Sequence, residues 1–340
     1  MLFINSADWH FSNYSSDPVI KSTGLSEKLN SLVTTINNMI QYGRENKIKN
    51  QVVGGDVLHN KSVVHTFAMS VLIDLFKNNS DIEFILLNGN HDESSRSSDS
   101  VSGLKALDFI PNVHVISEVE KIENILFVPW KHSTKELFQK EKSDYLLSHF
   151  GLSEAMLNSG ISIVSDISMK DLSNFKYVLL GHYHKNQYLK NEHTELYYSG
   201  SVIQIDWGEK NEEKRFLIVD TIKNTIKSIP TIGYKKYIEL EINNDNRVEI
   251  IKEVEKYKKD GNKVKLLIKN EFSYVDDIPK DIIVVDKQEK DITQRGLTSG
   301  MSSADRLIRY MEIKGIPVGK QTEYKNIALD IIDKVSSEAK

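Results

Sequence analysis

The chain contains no cysteine. Disulfides and thiolate metal sites are therefore excluded, and the composition fits a reducing compartment such as the cytoplasm. A basic excess is also missing. Lys and Arg number 44 against 48 Asp and Glu, for a formal net charge of -4. No basic domain or stripe announces nucleic-acid binding, although local charge matters more than the sum. No uninterrupted apolar run approaches the roughly 20 residues that span a bilayer. The first residues, "MLFINSADWHF", carry a short apolar run with no basic segment or cleavage site. Neither a membrane span nor a signal peptide is expected.

What is present is ordinary soluble-protein material. The 340 residues suffice for two or three domains, with 39% hydrophobic and 27% charged residues. Short β-rich apolar runs occur at Leu2-Asn5, Gln51-Val53, Phe84-Leu87, Val113-Ile116, Ile125-Val128, Tyr145-Ser148, Tyr177-Leu180 and Leu196-Tyr198. Two more, Phe216-Val219 and Thr225-Ile229, flank "DTIKN" as a hairpin. Between the early runs, Ser26-Asn46 and Val64-Asn78 read as helices. The first has Leu29, Leu32, Val33, Ile36, Met39 and Ile40 at helical spacing. Alternating strand and helix predicts a largely parallel sheet with crossover helices, and the later strand-dense part predicts a second sheet packed on it.

The character changes near Thr231-Tyr234. "YKKYIELEI", "RVEIIKEVEKYKKDG", "KVKLLIK" and "IIVVD" read as a small β-α-β domain. Its lysines are interleaved with acids, as on a solvated face. Two amphipathic helices close the chain. "SSADRLIRYMEIKGI" carries Leu307, Ile308 and Met311, and "EYKNIALDIIDKVSSEAK" carries Ile327, Ile331 and Ile332. The expected division is 1-230, 231-295 and 296-340.

The polar residues are not scattered. Leu2-Asn5 runs into Asp8 and His10, Gln51-Val53 into Gly54-Gly55-Asp56 and His59, and Phe84-Leu87 into Asn90-His91-Asp92. The run ending at Ser148 delivers His149, and Tyr177-Leu180 delivers Gly181-His182-Tyr183-His184. Each piece alone is turn chemistry. Five such clusters at the carboxyl ends of five strands mark the edge where open α/β sheets place ligands. Imidazole, carboxylate and amide donors without thiolate suit manganese, iron or zinc. An Asp carboxylate has two oxygens to share between two cations.

In this order, Asp8-x-His10, Gly55-Asp56, Gly89-Asn90-His91-Asp92, His149 and Gly181-His182-x-His184 resemble the motif set of the calcineurin-like metallophosphoesterases. The resemblance implies a four-layer α/β sandwich: two mixed β-sheets flanked by helices, with a small β-α-β cap domain and a C-terminal helical segment. It implies that Asp8, His10 and His184 hold one divalent ion and Asn90, His149 and His182 a second, with Asp56 bridging. His91 is then no ligand but the acid beside the phosphate, and Asp92 orients the local structure.

The segment "GGDVLHNKS" lacks the Asp-Arg-Gly of protein Ser/Thr phosphatases and has His59 three residues after Asp56. It is similar to the SbcD-type DNA nuclease branch, in which a His at this position supports exonucleolytic cleavage. The other reading of His59 is a cap on the following helix. "FIPNVHVI", "YYSGSVIQIDWGE" and "KRFLIVD" extend the likeness over about residues 1-230, and the compact length resembles a phage version.

The branch implies manganese ions, with magnesium, iron or zinc as alternatives. Its substrate is duplex DNA with ends, degraded 3′ to 5′ and cut endonucleolytically, in DNA repair, recombination or replication. Its partner is an SbcC-type coiled-coil ATPase, bound through the C-terminal helices. The setting is a homodimer in the cytoplasm of a bacterium or a phage-infected host, with no membrane association. Two other functions fit the same residues: a stand-alone phosphodiesterase or phosphatase on a small substrate, and a non-catalytic scaffold. His65, His114, His132 and His193 lie outside the motifs and are expected to be bystanders. Arg96, in the Ser-rich stretch after His91, is a candidate phosphate contact.

Overall fold

The structure, a computed structural model, describes residues 1-61, 63-97, 99-160, 165-268, 282-286, 303-317 and 319-327. The expected residues Ile331 and Ile332 lie outside these. The chain divides into two units, Met1–Glu239 with Lys252–Val264, and Leu240–Ile251 with Lys265–Lys340.

In the first unit the apolar runs become the strands of two six-stranded mixed sheets. The first sheet contains β1 (Leu2–Ser6), β2 (Asn50–Val53), β3 (Glu83–Leu87), β4 (Val113–Ile116), β11 (Arg215–Asp220) and β12 (Thr225–Pro230), in the order β12-β11-β1-β2-β3-β4. Strands β1 to β4 are parallel, and β11 and β12 add as an antiparallel hairpin. The second sheet contains β5 (Glu120–Ile122), β6 (Ile125–Val128), β7 (Ser143–His149), β8 (Phe175–Gly181), β9 (Gln187–Lys190) and β10 (Glu195–Tyr198), in the order β5-β6-β7-β8-β10-β9. Its inner strands β6, β7, β8 and β10 are parallel and its two edges antiparallel.

The strands sort their side chains by the period-two alternation of a pleated chain. Phe3, Val52, Ile85, Leu87, Phe127, Tyr145, Leu147, Tyr177 and Leu179 form one buried cluster shared by the two sheets. Ile4, Val53, Phe84 and Leu86 point the other way, into a cluster with Leu32, Ile36, Met39 and Leu72. Those last four belong to α1 (Glu27–Glu45) and α2 (Thr66–Asn78). Leu126, Leu146, Val178, Leu180 and Leu196 make a third cluster with Phe138, on α3 (Lys135–Lys140). Strands buried on both faces must be apolar throughout, which is why these runs do not alternate with polar residues. The outer cover of the second sheet is thinner than that of the first. Among the described residues it consists of one short α-helix, the 3-10 turn Met169–Leu172 and loop residues such as Phe150 and Leu152.

Helix α1 starts where expected, because the Ser26 side chain accepts from the Leu29 amide at 3.3 Å. At its far end Arg44 grips both Asp81 oxygens, at 2.6 and 2.9 Å. Among the described residues, the α-helix α3 and the strands β5 and β9 have no counterpart in the sequence analysis, nor do the short 3-10 turns. Strands β5 ("EKI") and β9 ("QYLK") are the two edges of the second sheet. Charged and polar residues protect such edges and hide the apolar signal.

The remaining elements are β13 (Tyr237–Ile242), α4 (Arg247–Lys259), β14 (Lys263–Ile268) and β15 (Ile283–Asp286), with the strands in the order β13-β14-β15. Strand β15 pairs parallel to β14 through Lys265 and Ile283. The sequence follows with α5 (Ser303–Ile313), on which Met311 is buried, and a helical stretch over 319-327. Among the described residues, no helix is long and apolar enough to cross a membrane.

Phe127 is fully buried between the two sheets, whereas Phe109 is 88% exposed. Phe127→Ala is expected to cost about 3–5 kcal/mol in urea unfolding. Phe109→Ala is expected to change stability by no more than about 0.5 kcal/mol. Similar losses from both would mean that the inter-sheet layer is misplaced.

Candidate metal centre

The five strand ends meet at one edge of the first unit. Beyond β1 and β2 the backbone stays zipped: the amides of Asp8, His10 and Phe11 donate to the carbonyls of Gly55, Asp56 and Val57 at 3.0, 3.0 and 2.7 Å. This close pairing bends the chain sharply. Asp8, His10, Asp56 and His182 all have positive φ, at 53, 53, 54 and 95 degrees. Non-glycine residues held there carry strain of about 1–3 kcal/mol, which collects at functional sites. Gly89 is required by the same crowding, since a Cβ there would fall 2.3 Å from Asp56 Oδ1.

Asp8, His10, Asp56, Asn90 and His149 are all buried. Three groups of side chains bring their ligand atoms within 4.8 Å of one another: Asp8, His10 and His184; His10, Asp56 and His91; and Asp8, Asp56 and His149. Asp56 is common to two of them. Its Oδ1 lies 3.3 Å from His149 Nε2, and its Oδ2 lies 3.8 Å from His10 Nε2 and 4.0 Å from His91 Nε2. The Asn90 side-chain oxygen lies between two imidazoles, 3.0 Å from His149 Nε2 and 2.9 Å from His182 Nδ1. Asp8 accepts from the His182 amide at 3.1 Å, which ties the β8 loop to β1.

The nitrogen chemistry fits a divalent cation. His149 Nδ1 donates to the Gly54 carbonyl at 2.9 Å, so in the neutral ring Nε2 carries the lone pair. That lone pair faces the Asn90 and Asp56 oxygens. Likewise His184 Nδ1 donates to Glu209 at 2.6 Å, and its Nε2 lies 2.9 Å from His10 Nε2. Lone pairs turned toward other acceptors repel unless a proton or a cation lies between them. Electrostatics point the same way. Burial pulls His149 down, but the charges of Asp56 and Asp8 outweigh it and push it up to about 9. Burial alone would raise Asp56; facing His149 and His10, it is instead held far below the usual carboxylate range. Burial brings His182 down to about 3, so its ring is neutral, whereas His149 would have to exchange its proton for a cation in order to bind one.

Of the remaining predicted residues, His91 and His59 are partly exposed beside the centre and Asp92 is buried. His91 Nδ1 donates to the His59 carbonyl at 2.5 Å, and its backbone amide donates to Asp56 Oδ1 at 2.8 Å. The ring is therefore fixed with Nε2 turned to Asp56. The His59 ring lies 5.4 Å from that of His10 and 6.2 Å from that of His91. It does not cap α2, whose N-cap position is His65. The buried Asp92 carboxylate accepts from the amides of Val57, Leu58 and Gly89 at 3.2, 2.8 and 2.9 Å. Burial, with the Asp56 charge, pushes it up to about 7. Asp92 thus staples the loop after β3 to the loop after β2.

Outside the centre, His114 pairs with Glu120 at 2.9 Å and His132 with Glu118 at 2.8 Å. Arg96 lies 5.2 Å over the Trp130 ring. Two residues not singled out in the sequence belong to the centre. Tyr14 donates its hydroxyl to the His10 carbonyl at 2.5 Å. Glu209 is the partner of His184. The Gly-Glu of "YYSGSVIQIDWGE" was the only signal for the second, and nothing marked the first.

Residues 1-186 match the calcineurin-like phosphoesterase family. The chain is 30% identical over 102 residues to the SbcD component of the nuclease SbcCD from Staphylococcus epidermidis, a stretch that is 30% of this chain and 27% of the relative. It is 26% identical over 182 residues to an uncharacterized protein of Acanthamoeba polyphaga mimivirus, covering 46% of this chain and 13% of that one. The chain thus spans less than a third of either relative. Among solved structures, an archaeal phosphodiesterase covers 68% of this chain and is itself 99% covered, at 12% identity and a TM-score of 0.36. A dimetal phosphatase from Danio rerio covers 68% and is 95% covered, at 10% identity and a TM-score of 0.39. Those two likenesses are too loose to carry an argument. The family match spans more than half of the chain, with the strand-end residues inside it, and the chain belongs to the calcineurin-like phosphoesterases.

Proposed function

We propose that the chain is a two-metal DNA nuclease that hydrolyses phosphodiester bonds at duplex ends. Calcineurin-like phosphoesterases use divalent metals, and the reading goes further for this chain. Asp8, His10 and His184 would hold one ion and Asn90, His149 and His182 the other, with Asp56 shared between them. When bound, such ions supply positive charge at the phosphate and acidify the attacking water. Manganese is the proposed ion, since the donors are imidazole, carboxylate and amide.

The observation that carries the reading is the posture of His91. The His59 carbonyl fixes its Nδ1 and leaves Nε2 at the face of the centre, 4.0 Å from Asp56. That is the placement a proton donor needs. In the reaction, water adds to phosphorus and the bond to the leaving sugar oxygen breaks. With its Nδ1–H held by the His59 carbonyl, His91 acts as the doubly protonated ring: its Nε2–H passes to that oxygen as it departs, and the proton lost by the attacking water is returned to the ring through solvent. Asp92 keeps the two loops that carry Asp56 and His91 in register. His59, stacked near His91, would support the exonucleolytic mode.

DNA as the substrate is favoured by the likeness to a nuclease component and by His59 standing where a protein phosphatase has its Asp-Arg-Gly. We assign residues 231-295 as a cap over the DNA and 296-340 as the segment that docks a coiled-coil ATPase of the SbcC type. Tyr310, Tyr324 and Ile327 are exposed and would be available to it. A homodimer completes the proposed assembly.

With manganese and end-labelled linear duplex DNA, the full chain is expected to shorten the labelled strand. His91→Ala should bind the same amount of manganese and cut about 10²–10⁴-fold more slowly. Cleavage of an aryl phosphodiester but never of DNA, with or without the ATPase, would refute the nuclease reading. Asp92→Ala leaves three buried amides without an acceptor, so a loss of about 3 kcal/mol or more is expected in urea unfolding. Unchanged stability would show that the two loops do not need the staple. Truncation after Gly296 should leave the first unit folded by circular dichroism and abolish co-purification with the ATPase. Retained co-purification would place the docking segment elsewhere.

A further inference from the structure

Glu209 sits behind the His184 ring and is buried. After β10 the backbone turns at Gly200, which has φ +74 degrees, and passes so close to the β8 loop that a Cβ would meet the His184 carbonyl at 2.6 Å. The Ser201 amide donates to that carbonyl at 3.1 Å. The chain then returns through the 3-10 turn Trp207–Glu209, capped by Asp206, and delivers Glu209 beneath His184.

The two oxygens of Glu209 have different partners. Oε2 takes three donors: Ser201 Oγ at 3.0 Å, the Ile205 amide at 3.1 Å and Lys214 Nζ at 2.7 Å. Oε1 lies 2.6 Å from His184 Nδ1. Lys214 is only 1% exposed, an unusual location for a lysine. Its ammonium also donates to the His184 carbonyl at 3.0 Å and to Glu212 at 2.9 Å. The network therefore grips His184 twice, by its ring and by its backbone.

An ionised carboxylate only accepts, so it selects the Nδ1–H form of His184 and leaves the Nε2 lone pair facing His10. A carboxylate behind a metal-binding imidazole also raises its basicity and fixes the ring plane. We propose that Glu209, held by Lys214, is the positioning residue for the ion of Asp8, His10 and His184, and sets the affinity of that position separately from the one at Asn90, His149 and His182. This rests on the ligand assignment above. It makes the two positions unequal by construction. His184 of the first is backed by a buried, charged carboxylate, whereas His149 of the second is backed by the neutral carbonyl of Gly54.

Glu209→Gln keeps the shape but offers one acceptor oxygen to four donors. Manganese titration of the full chain by calorimetry is expected to give two ions for the wild type. For Glu209→Gln, one ion should bind as before and the other roughly 10–100-fold more weakly. Equal affinities for both ions in the variant would overturn the proposal. Fewer than two ions on the wild type would refute the two-metal reading and leave the positioning role to a second measurement. That measurement is the nitrogen-15 histidine spectrum of chelator-treated wild type, with His184 assigned from its loss in His184→Gln. It needs no change at Glu209, so a variant that fails to fold does not block it. A proton on His184 Nδ1 is expected, and a proton on Nε2 with Nδ1 bare would contradict the role of Glu209.

Discussion

A buried carboxylate organises this molecule. Asp56 stands where two parallel strands end, and each of its oxygens is claimed. One accepts the His91 amide at 2.8 Å and faces His149, and the other faces His10 and His91. Moving an anion out of water costs several kcal/mol unless positive charge or donors return it. The neighbouring loops are bent to meet that demand. Asp8, His10, Asp56 and His182 accept positive φ, and Gly89 gives up a side chain. The strain is borne by two sheets packed through a continuous apolar layer, which can hold it because close-packed interiors yield little.

The same constraint explains the division of labour among the imidazoles. His149 is held by the Gly54 carbonyl, His91 by the His59 carbonyl and His184 by Glu209. Which nitrogen of these rings faces the centre is therefore decided by partners outside it. Such preorganisation means that a charged substrate meets groups already aimed, with no reorientation left to the reaction step.

Much of this could be read from the amino-acid sequence, and the exceptions have physical causes. Strands buried on both faces announce themselves as apolar runs, and Asp8, His10, Asp56, Asn90, His91, His149, His182 and His184 stand together at one sheet edge because each follows such a run. The edge strands Glu120–Ile122 and Gln187–Lys190 were missed because an edge is kept polar. Tyr14 and Glu209 were missed for another reason. They reach the centre from loops, through a hydroxyl on a backbone carbonyl and a carboxylate on the far side of a ring. Neither leaves a spacing in the sequence, because partners behind a ligand are set by tertiary approach and not by strand period. The staple made by Asp92 was legible only as a neighbour of His91. Its three amide partners, at Val57, Leu58 and Gly89, are a fact of the folded loops.

The proposed chemistry depends on the strand-end residues holding two ions around Asp56. Anomalous diffraction at the manganese edge, from crystals grown with manganese, tests this most directly. Two peaks are expected, one among Asp8, His10, Asp56 and His184 and the other among Asp56, Asn90, His149 and His182. A single peak remote from Asp56, or none at saturating manganese, would contradict it.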